Sequence, residues 1–135
     1  MKGINLMKDR LLLLFVALVF SGLGCMAGSY NNISPDKAKE MIKSGGADLL
    51  LLDVRTSGEY KNDGHLKNSV LIPINLLEAK VGEISAYKDK DVVVYCAVGG
   101  RSARASGILS EKGFKRIYNM TGGIKEWKRL GYAVE

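Results

Sequence analysis

Three short, almost continuous apolar runs constrain what this chain can fold into more than any other feature. They span residues 49–54, 70–74 and 92–95, and aliphatic side chains dominate each of them. A short run without polar alternation is typical of a strand that is covered on both faces. A further strand is predicted at residues 116–120. Because helical patterns separate the strands, we expect an α/β fold with a mainly parallel central sheet of about five strands and helices on both faces.

Helix signals lie between the predicted strands. Ser34 is a candidate N-cap, and a proline follows it at the first helical position. Asn75 and Glu78 predict a capping pair for a helix that runs to about residue 86. Further helices are predicted over residues 102–112 and after the Gly122-Gly123 pair.

Length and charge narrow the class of protein. A chain of 135 residues is expected to form one domain with a substantial core. The formal net charge is +6, but the basic residues are scattered rather than clustered among aromatic side chains. This distribution argues against nucleic-acid binding. We predict no cofactor and no metal.

The first 27 residues have the order of a secretory signal peptide. Basic residues open the segment, and residues 11–20 form an uncharged apolar run. This run is shorter than the roughly 20 residues that a membrane-spanning helix needs, and small residues follow it. We therefore divide the chain into a signal peptide at 1–27, a short polar tether at 28–32 and a folded domain at 33–135.

Two cleavage patterns compete at the end of this leader. Cys25 follows Leu23-Gly24 and resembles a bacterial lipoprotein site, although Gly22 stands where that pattern has a large aliphatic residue. The rival is ordinary cleavage after Ala27, and a retained signal anchor is a third reading. Cleavage implies a protein that is periplasmic or lipid-anchored at the bacterial cell envelope, touching the membrane only through the leader or an acylated Cys25.

Either cleavage leaves Cys96 as the only free thiol. It follows the strand predicted at 92–95, and four small or apolar residues separate it from Arg101, just before the helix predicted to start at Ser102. The N–H groups and the macrodipole at a helix start favour an anion, so the pKa of this thiol should be lowered. A small buried hydrophobic residue is the alternative. The glycines and the arginine that follow favour a nucleophile.

Motifs spread along the chain resemble a single-domain rhodanese, from about Ile33 to the C-terminus. In chain order they are Leu51-Leu52-Asp53-Val54-Arg55, Glu59-Tyr60, Gly64-His65-Leu66, Ile72-Pro73, Tyr95-Cys96 through Arg101-Ser102, and Gly122-Gly123-Ile124 with Trp127. The resemblance implies a sulfurtransferase. Sulfane sulfur would pass from a small donor such as thiosulfate to cyanide or a thiol, through a persulfide on Cys96.

The resemblance also implies roles for the residues around Cys96. The backbone N–H groups of the loop would stabilise the anionic persulfide. Arg101 would close the loop and bind the oxyanion of the donor. The predicted substrate-binding loop consists of Ala97, Val98, Gly99, Gly100, Arg101 and Ser102.

Three more residues are candidates for supporting roles at this site. Asp53 and Arg55 lie at the end of a predicted strand and could orient the loop or contact substrate. His65 is the only histidine and a candidate acid–base group. The alternatives are structural. Asp53 and Arg55 could form a buried ion pair or a loop tie that involves Glu59 or His65, and His65 could hold its own loop in place.

Other functions stay open at this point. Cysteine phosphatases place five residues between the cysteine and the arginine, whereas this chain has four, which suits a single sulfur better than a tetrahedral phosphate. Arsenate reduction or phosphatase chemistry at the thiolate is one alternative. A persulfide carrier or binding module without turnover is another. We expect a monomer.

Overall fold

The computed structural model describes residues 29–135. The predicted signal peptide, both cleavage sites and Cys25 lie outside the described residues. No helix within residues 29–135 is long and apolar enough to cross a membrane.

A parallel sheet of five strands forms the centre of the domain, and its strands lie in the order β1-β5-β4-β2-β3. The strands are β1 (Asn31–Ile33), β2 (Leu49–Asp53), β3 (Val70–Leu71), β4 (Asp91–Tyr95) and β5 (Arg116–Met120). The helices are α1 (Pro35–Gly45), α2 (Ser57–Asn62), α3 (Ile74–Lys80), α4 (Gly100–Glu111) and α5 (Gly123–Arg129). Two 3-10 segments, Gly46–Asp48 and Val81–Tyr87, complete the connections.

Both faces of the sheet are buried, as the apolar runs predict. Leu52 and Val94 point to one face, where they pack with Leu77 of α3 and Leu109 of α4. The alternate residues of the same strands pack on the other face against α1 and α5, in a cluster that includes Trp127. The predicted fold class is therefore confirmed, with helices on both sides of a parallel sheet.

The structure differs from the sequence-based prediction at the edges of the sheet. Asn31 and Asn32, assigned to a polar tether, pair with β5 and form an edge strand. At the opposite edge, the strand predicted over residues 70–74 contains only Val70 and Leu71, and Val70 is 41% exposed. An edge strand has one open side, so it needs neither a long nor an apolar sequence.

Two predicted helix starts are displaced. The predicted Asn75–Glu78 capping pair is wrong: α3 begins at Ile74 without a side-chain cap, and the Ile74 N–H donates to the Val54 carbonyl 3.0 Å away. The helix predicted to begin at Ser102 starts at Gly100, after Gly99 adopts a φ of 107°. Only glycine takes this backbone conformation readily, so Gly99 permits the early start.

Candidate active site

Two central strands deliver the candidate residues to one edge of the sheet. Asp53 at the end of β2 is paired in register with Tyr95 at the end of β4, and Cys96 follows directly. Ligands bind at the carboxyl ends of strands in open parallel sheets. Cys96 is only 1% exposed, and the loop from Ala97 to Gly99 turns around it into α4.

Main-chain donors converge on the Cys96 sulfur. The Gly99 N–H lies 3.1 Å from Sγ and the Ser102 N–H lies 3.4 Å from it. The thiol can donate to Ser102 Oγ at 3.4 Å, while the Ser102 hydroxyl donates to the Gly99 carbonyl at 3.1 Å. A hydroxyl can rotate, so Ser102 is able to donate to the sulfur once the thiol has lost its proton.

These contacts decide the ionisation of Cys96. Burial opposes formation of the thiolate, but hydrogen bonds from the Ser102 side chain and from the backbone N–H groups of Ser102 and Gly99 outweigh it, and the pKa of Cys96 is lowered. A thiolate is the nucleophilic form of cysteine. The arrangement at the start of α4 therefore has the electrostatics that a reactive thiol needs.

The start of α5 holds the loop from the other side. The Ile124 N–H donates to the Cys96 carbonyl at 2.9 Å, and the Lys125 N–H donates to the Ala97 carbonyl at 3.1 Å. Gly123 has a φ of 60°, and a Cβ there would lie 2.5 Å from the Cys96 and Ala97 carbonyl oxygens. The absence of a side chain at Gly123 allows α5 to approach the loop this closely.

Arg101 closes the loop onto α2. Its guanidinium makes two hydrogen bonds, of 2.8 and 2.7 Å, to the carboxylate of Glu59. Glu59 also completes a capping box with Thr56 at the start of α2. The hydrogen bond from Arg101 lowers the pKa of Glu59 to about 2, with burial opposing and Thr56 assisting. Local sequence patterns do not predict this pair, because the two residues lie 42 positions apart.

Asp53 and Arg55 form a buried ion pair. Both are buried, and Arg55 donates to both carboxylate oxygens of Asp53, with the shortest contact at 2.7 Å. Arg55 also donates to the Gly64 carbonyl at 2.7 Å. The pair thus ties the end of β2 to the loop that follows α2.

His65 also occupies a tie between segments. Its ring stacks on Tyr60 with 3.8 Å between the centroids, and Nδ1 lies 3.1 Å from the Tyr60 carbonyl. Its backbone N–H and carbonyl each bond the backbone of Glu135 at 2.8 Å. These contacts connect the C-terminal residues to the loop after α2, and they do not involve the Cys96 loop.

A cavity of about 600 Å³ lies beside the loop. Ala97, the residue after Cys96, forms part of its wall. The charged residues on the cavity come from three segments, and they are Arg55, Glu59, Asp63, Lys125 and Lys128. The two lysines carry no signal in the local sequence, because their position depends on how α5 packs against the loop. Within residues 29–135 no group of three His, Cys, Asp or Glu side chains is placed to hold a metal ion.

Comparison with protein families gives a match to the rhodanese-like domain over residues 34–130. A sulfurtransferase of Allochromatium vinosum is 38% identical over 87 residues, which are 64% of this chain and 78% of that protein. Thiosulfate sulfurtransferase GlpE of Coxiella burnetii is 37% identical over 101 residues, covering 73% of this chain and 88% of that protein.

The same domain also matches part of longer proteins. A tRNA uridine(34) hydroxylase of Hamiltonella defensa is 37% identical over 97 residues, which are 69% of this chain but only 26% of that protein. Among solved structures, a rhodanese-related protein from Thermoplasma volcanium superimposes with a TM-score of 0.68. It is 36% identical, and the match covers 78% of this chain and 98% of that one.

Proposed function

The chain belongs to the rhodanese-like domain family, and we propose that it transfers sulfane sulfur through a persulfide on Cys96. The donor in this proposal is thiosulfate or a related compound, and the acceptor is cyanide or a thiol. The observation that carries the proposal is the pair of N–H groups, from Gly99 and Ser102, that lie 3.1 and 3.4 Å from the Cys96 sulfur.

The first half-reaction charges the enzyme. The Cys96 thiolate attacks the outer sulfur of thiosulfate, the S–S bond of thiosulfate breaks, and sulfite leaves with the electron pair of that bond. The product is a persulfide whose negative charge lies on the terminal sulfur. The N–H groups that contact Sγ favour the thiolate before the transfer, and as donors at the start of α4 they also favour the negative charge that the persulfide then holds next to Sγ.

The second half-reaction removes the sulfur from the persulfide on Cys96. Cyanide or a thiolate attacks the terminal sulfur, and the bond between that sulfur and Sγ breaks. Cys96 returns as the thiolate, and the acceptor leaves as thiocyanate or as its own persulfide. Charge and atoms balance in both steps without a cofactor.

Arg101 is proposed to bind the oxyanion end of the donor. Two N–H groups of its guanidinium contact Glu59, and a guanidinium carries five such donors. The remaining donors are available to sulfonate oxygens, and the group keeps its charge at every relevant pH. Glu59 fixes its position. In this scheme Asp53 and Arg55 hold the neighbouring strand end, and His65 has no step.

Intact mass measurement of the purified protein tests the proposal. After brief exposure to thiosulfate, we expect the mass of one added sulfur atom, its loss on addition of cyanide, and no gain in a Cys96→Ser variant. No gain with thiosulfate would contradict thiosulfate transfer. It would favour a carrier charged by polysulfide or by a protein, or oxyanion chemistry at the same thiol.

We propose further that the protein acts outside the cytoplasm. The support is the order of basic, apolar and small residues within positions 1–27. The N-terminal mass of the protein isolated from a bacterial host tests this proposal. A lipidated Cys25 would begin the mature chain at that residue, ordinary cleavage would begin it at Gly28, and an intact Met1 would contradict processing.

A further inference from the structure

We propose that Lys125 and Lys128 select a carboxylate-bearing organic thiol, larger than thiosulfate, as the sulfur acceptor. This inference rests on the proposed function, because it concerns the second half-reaction at Cys96. The two lysines lie on α5 and line the cavity whose wall includes Ala97. They are specificity-determining residues in this scheme and take no part in the bond exchange.

The size of the cavity is the first argument. Its volume is about 600 Å³. Pockets of about 300–1,000 Å³ accommodate organic molecules of drug size, and the few atoms of thiosulfate would fill only a small part of such a space. The cavity therefore suits an acceptor with a substantial organic body next to its thiol.

The distribution of charge is the second argument. Arg55 is paired with Asp53 at 2.7 Å, and Glu59 is paired with Arg101 at 2.7 Å, so these charges are largely compensated. Lys125 and Lys128 are exposed and form no ion pair within residues 29–135. Against these two cations the cavity holds one further carboxylate, that of Asp63. The uncompensated charge is positive and attracts an anionic substrate.

Hydrogen bonds fix the position of this cationic wall. The Lys125 N–H donates to the Ala97 carbonyl at 3.1 Å, so the residue is attached to the reactive loop. Lys128 Nζ donates to the backbone carbonyl of Asp63, which also lines the cavity. The loop itself carries no basic side chain between Cys96 and Arg101. Recognition of a carboxylate near the sulfur thus falls to α5.

The transfer step is the same as for any thiol acceptor. The acceptor thiolate attacks the terminal sulfur of the Cys96 persulfide, the bond from that sulfur to Sγ breaks, and Sγ leaves as the thiolate. The acceptor departs as a persulfide with its carboxylate unchanged. The lysines act through binding of the carboxylate, so they alter the preference between acceptors that differ only in charge.

Two capped dipeptides provide a matched pair of probes. Acetyl-Cys-Glu-amide and acetyl-Cys-Gln-amide have the same size and nearly the same thiol, and they differ in one carboxylate. The full-length protein is charged with thiosulfate, and the rate at which each dipeptide removes the sulfur is followed by intact mass. We expect a preference of about three- to tenfold for the acidic dipeptide, since each exposed ion pair is a modest contribution.

Variants assign this preference to the two lysines. In K125Q/K128Q the ratio of the two rates should fall to near one, and each single variant should lose part of the preference. The control K43Q/K112Q removes the same charge at exposed positions away from the cavity and should keep the ratio. Raising the salt concentration should reduce the preference of the unmodified protein.

The results separate this inference from the proposed function. A persulfide that forms and is discharged equally fast by both dipeptides would overturn the selection of a carboxylate. A preference that survives in K125Q/K128Q, or that disappears equally in K43Q/K112Q, would overturn the assignment to the cavity lysines. If thiosulfate adds no sulfur to Cys96, the proposed function fails first and this inference fails with it.

Discussion

The ends of β2 and β4 are neighbours at one edge of the sheet, and they satisfy their polar groups in opposite ways. At the end of β2, the side chains of Asp53 and Arg55 bond each other, and Arg55 also bonds the Gly64 carbonyl. At the end of β4, main-chain N–H groups from Gly99 and Ser102 point at the sulfur of Cys96.

The difference separates a structural site from a reactive one. In a buried ion pair the two charges largely compensate each other, and removal of one partner mainly costs stability. Backbone donors that point at one sulfur favour the thiolate form of that sulfur. These donors do not have to rearrange when the thiolate forms. The variants below are expected to separate the two effects.

Cys96→Ser should have the largest effect. Sulfur transfer from thiosulfate to cyanide is expected to fall at least about a thousandfold, because the nucleophile is lost. The free energy of unfolding should change little, since serine fits the same space. Thiocyanate formation measures the first quantity and urea denaturation, followed by the fluorescence of Trp127, measures the second. Residual transfer within tenfold of the unmodified rate would contradict the assignment of Cys96.

Asp53→Asn should affect stability rather than chemistry. It leaves the charge of Arg55 buried without its counterion, and such a change destabilises proteins by about 3–5 kcal/mol. The rate of sulfur transfer by the folded fraction should fall far less than in Cys96→Ser. Urea denaturation and the transfer assay at low temperature give the two values.

Asp91→Asn is the matched control for this variant. Asp91 pairs with Arg116 at 2.8 Å on the surface, where loss of an ion pair costs about 1 kcal/mol or less. Equal destabilisation by the two variants would show that the buried ion pair contributes no more to the free energy of unfolding than the surface pair does. A loss of transfer in Asp53→Asn as complete as in Cys96→Ser would place Asp53 in the chemistry.

Gly123→Ala should reduce both the stability of the protein and the rate of sulfur transfer. The new Cβ would lie 2.5 Å from the Cys96 and Ala97 carbonyls at a φ of 60°, so the loop must shift. We expect a loss of about 2–4 kcal/mol in stability, from backbone strain and overpacking together, and a reduced rate of transfer.

Gly131→Ala isolates the contribution of backbone strain. Gly131 has a φ of 80°, but a Cβ there meets nothing within 4 Å. This variant should lose about 1 kcal/mol, as expected for the left-handed conformation alone, and should transfer sulfur normally. Equal losses of stability and activity in the two glycine variants would refute the role of close approach at Gly123.

Glu59→Gln should have a smaller effect than the Cys96, Asp53 and Gly123 variants, and that effect should depend on pH. The pKa of Glu59 is lowered from 4.5 to about 2. A lowered pKa contributes stability above the unfolded value of 4.5, and this contribution disappears as the pH falls towards 2. At pH 7 the variant should be less stable by about 1–2 kcal/mol, because partial exposure of the pair to solvent reduces the roughly 1.5–3 kcal/mol that is usual for a hydrogen bond to a charged group.

Urea denaturation at several pH values tests the sign of this linkage. The stability difference between Glu59→Gln and the unmodified protein should shrink as the pH decreases below 4.5. A difference that stays constant down to pH 3 would mean that the charge of Glu59 contributes nothing to folding.

The sequence predicts the centre of this molecule better than its margins. The strands β2 and β4 follow from apolar runs, because a strand covered on both faces needs apolar side chains throughout. No apolar run predicts the edge strand β1, since Asn31 and Asn32 pair through their backbone and leave their side chains exposed. The sequence also predicts Cys96 and its loop, because a strand, a cysteine, glycines and a helix start are contiguous.

Contacts between distant segments were not predictable. The Glu59–Arg101 pair joins two helices that the fold alone brings together. The cavity lysines are set by the packing of α5 onto the Ala97 carbonyl. Local sequence patterns therefore predict the central strands, the helices and the nucleophile. The residues that contact the loop around the nucleophile depend on tertiary packing.

The ionisation of Cys96 is the most direct test of the central claim, which is that the loop stabilises an anionic sulfur. The rate of alkylation by iodoacetamide is measured against pH, and peptide mass analysis assigns the modified cysteine. The account predicts an apparent pKa below the ordinary value of about 8.5, and a shift back towards that value in Ser102→Ala. An apparent pKa of about 8.5 or higher in the unmodified protein would contradict it.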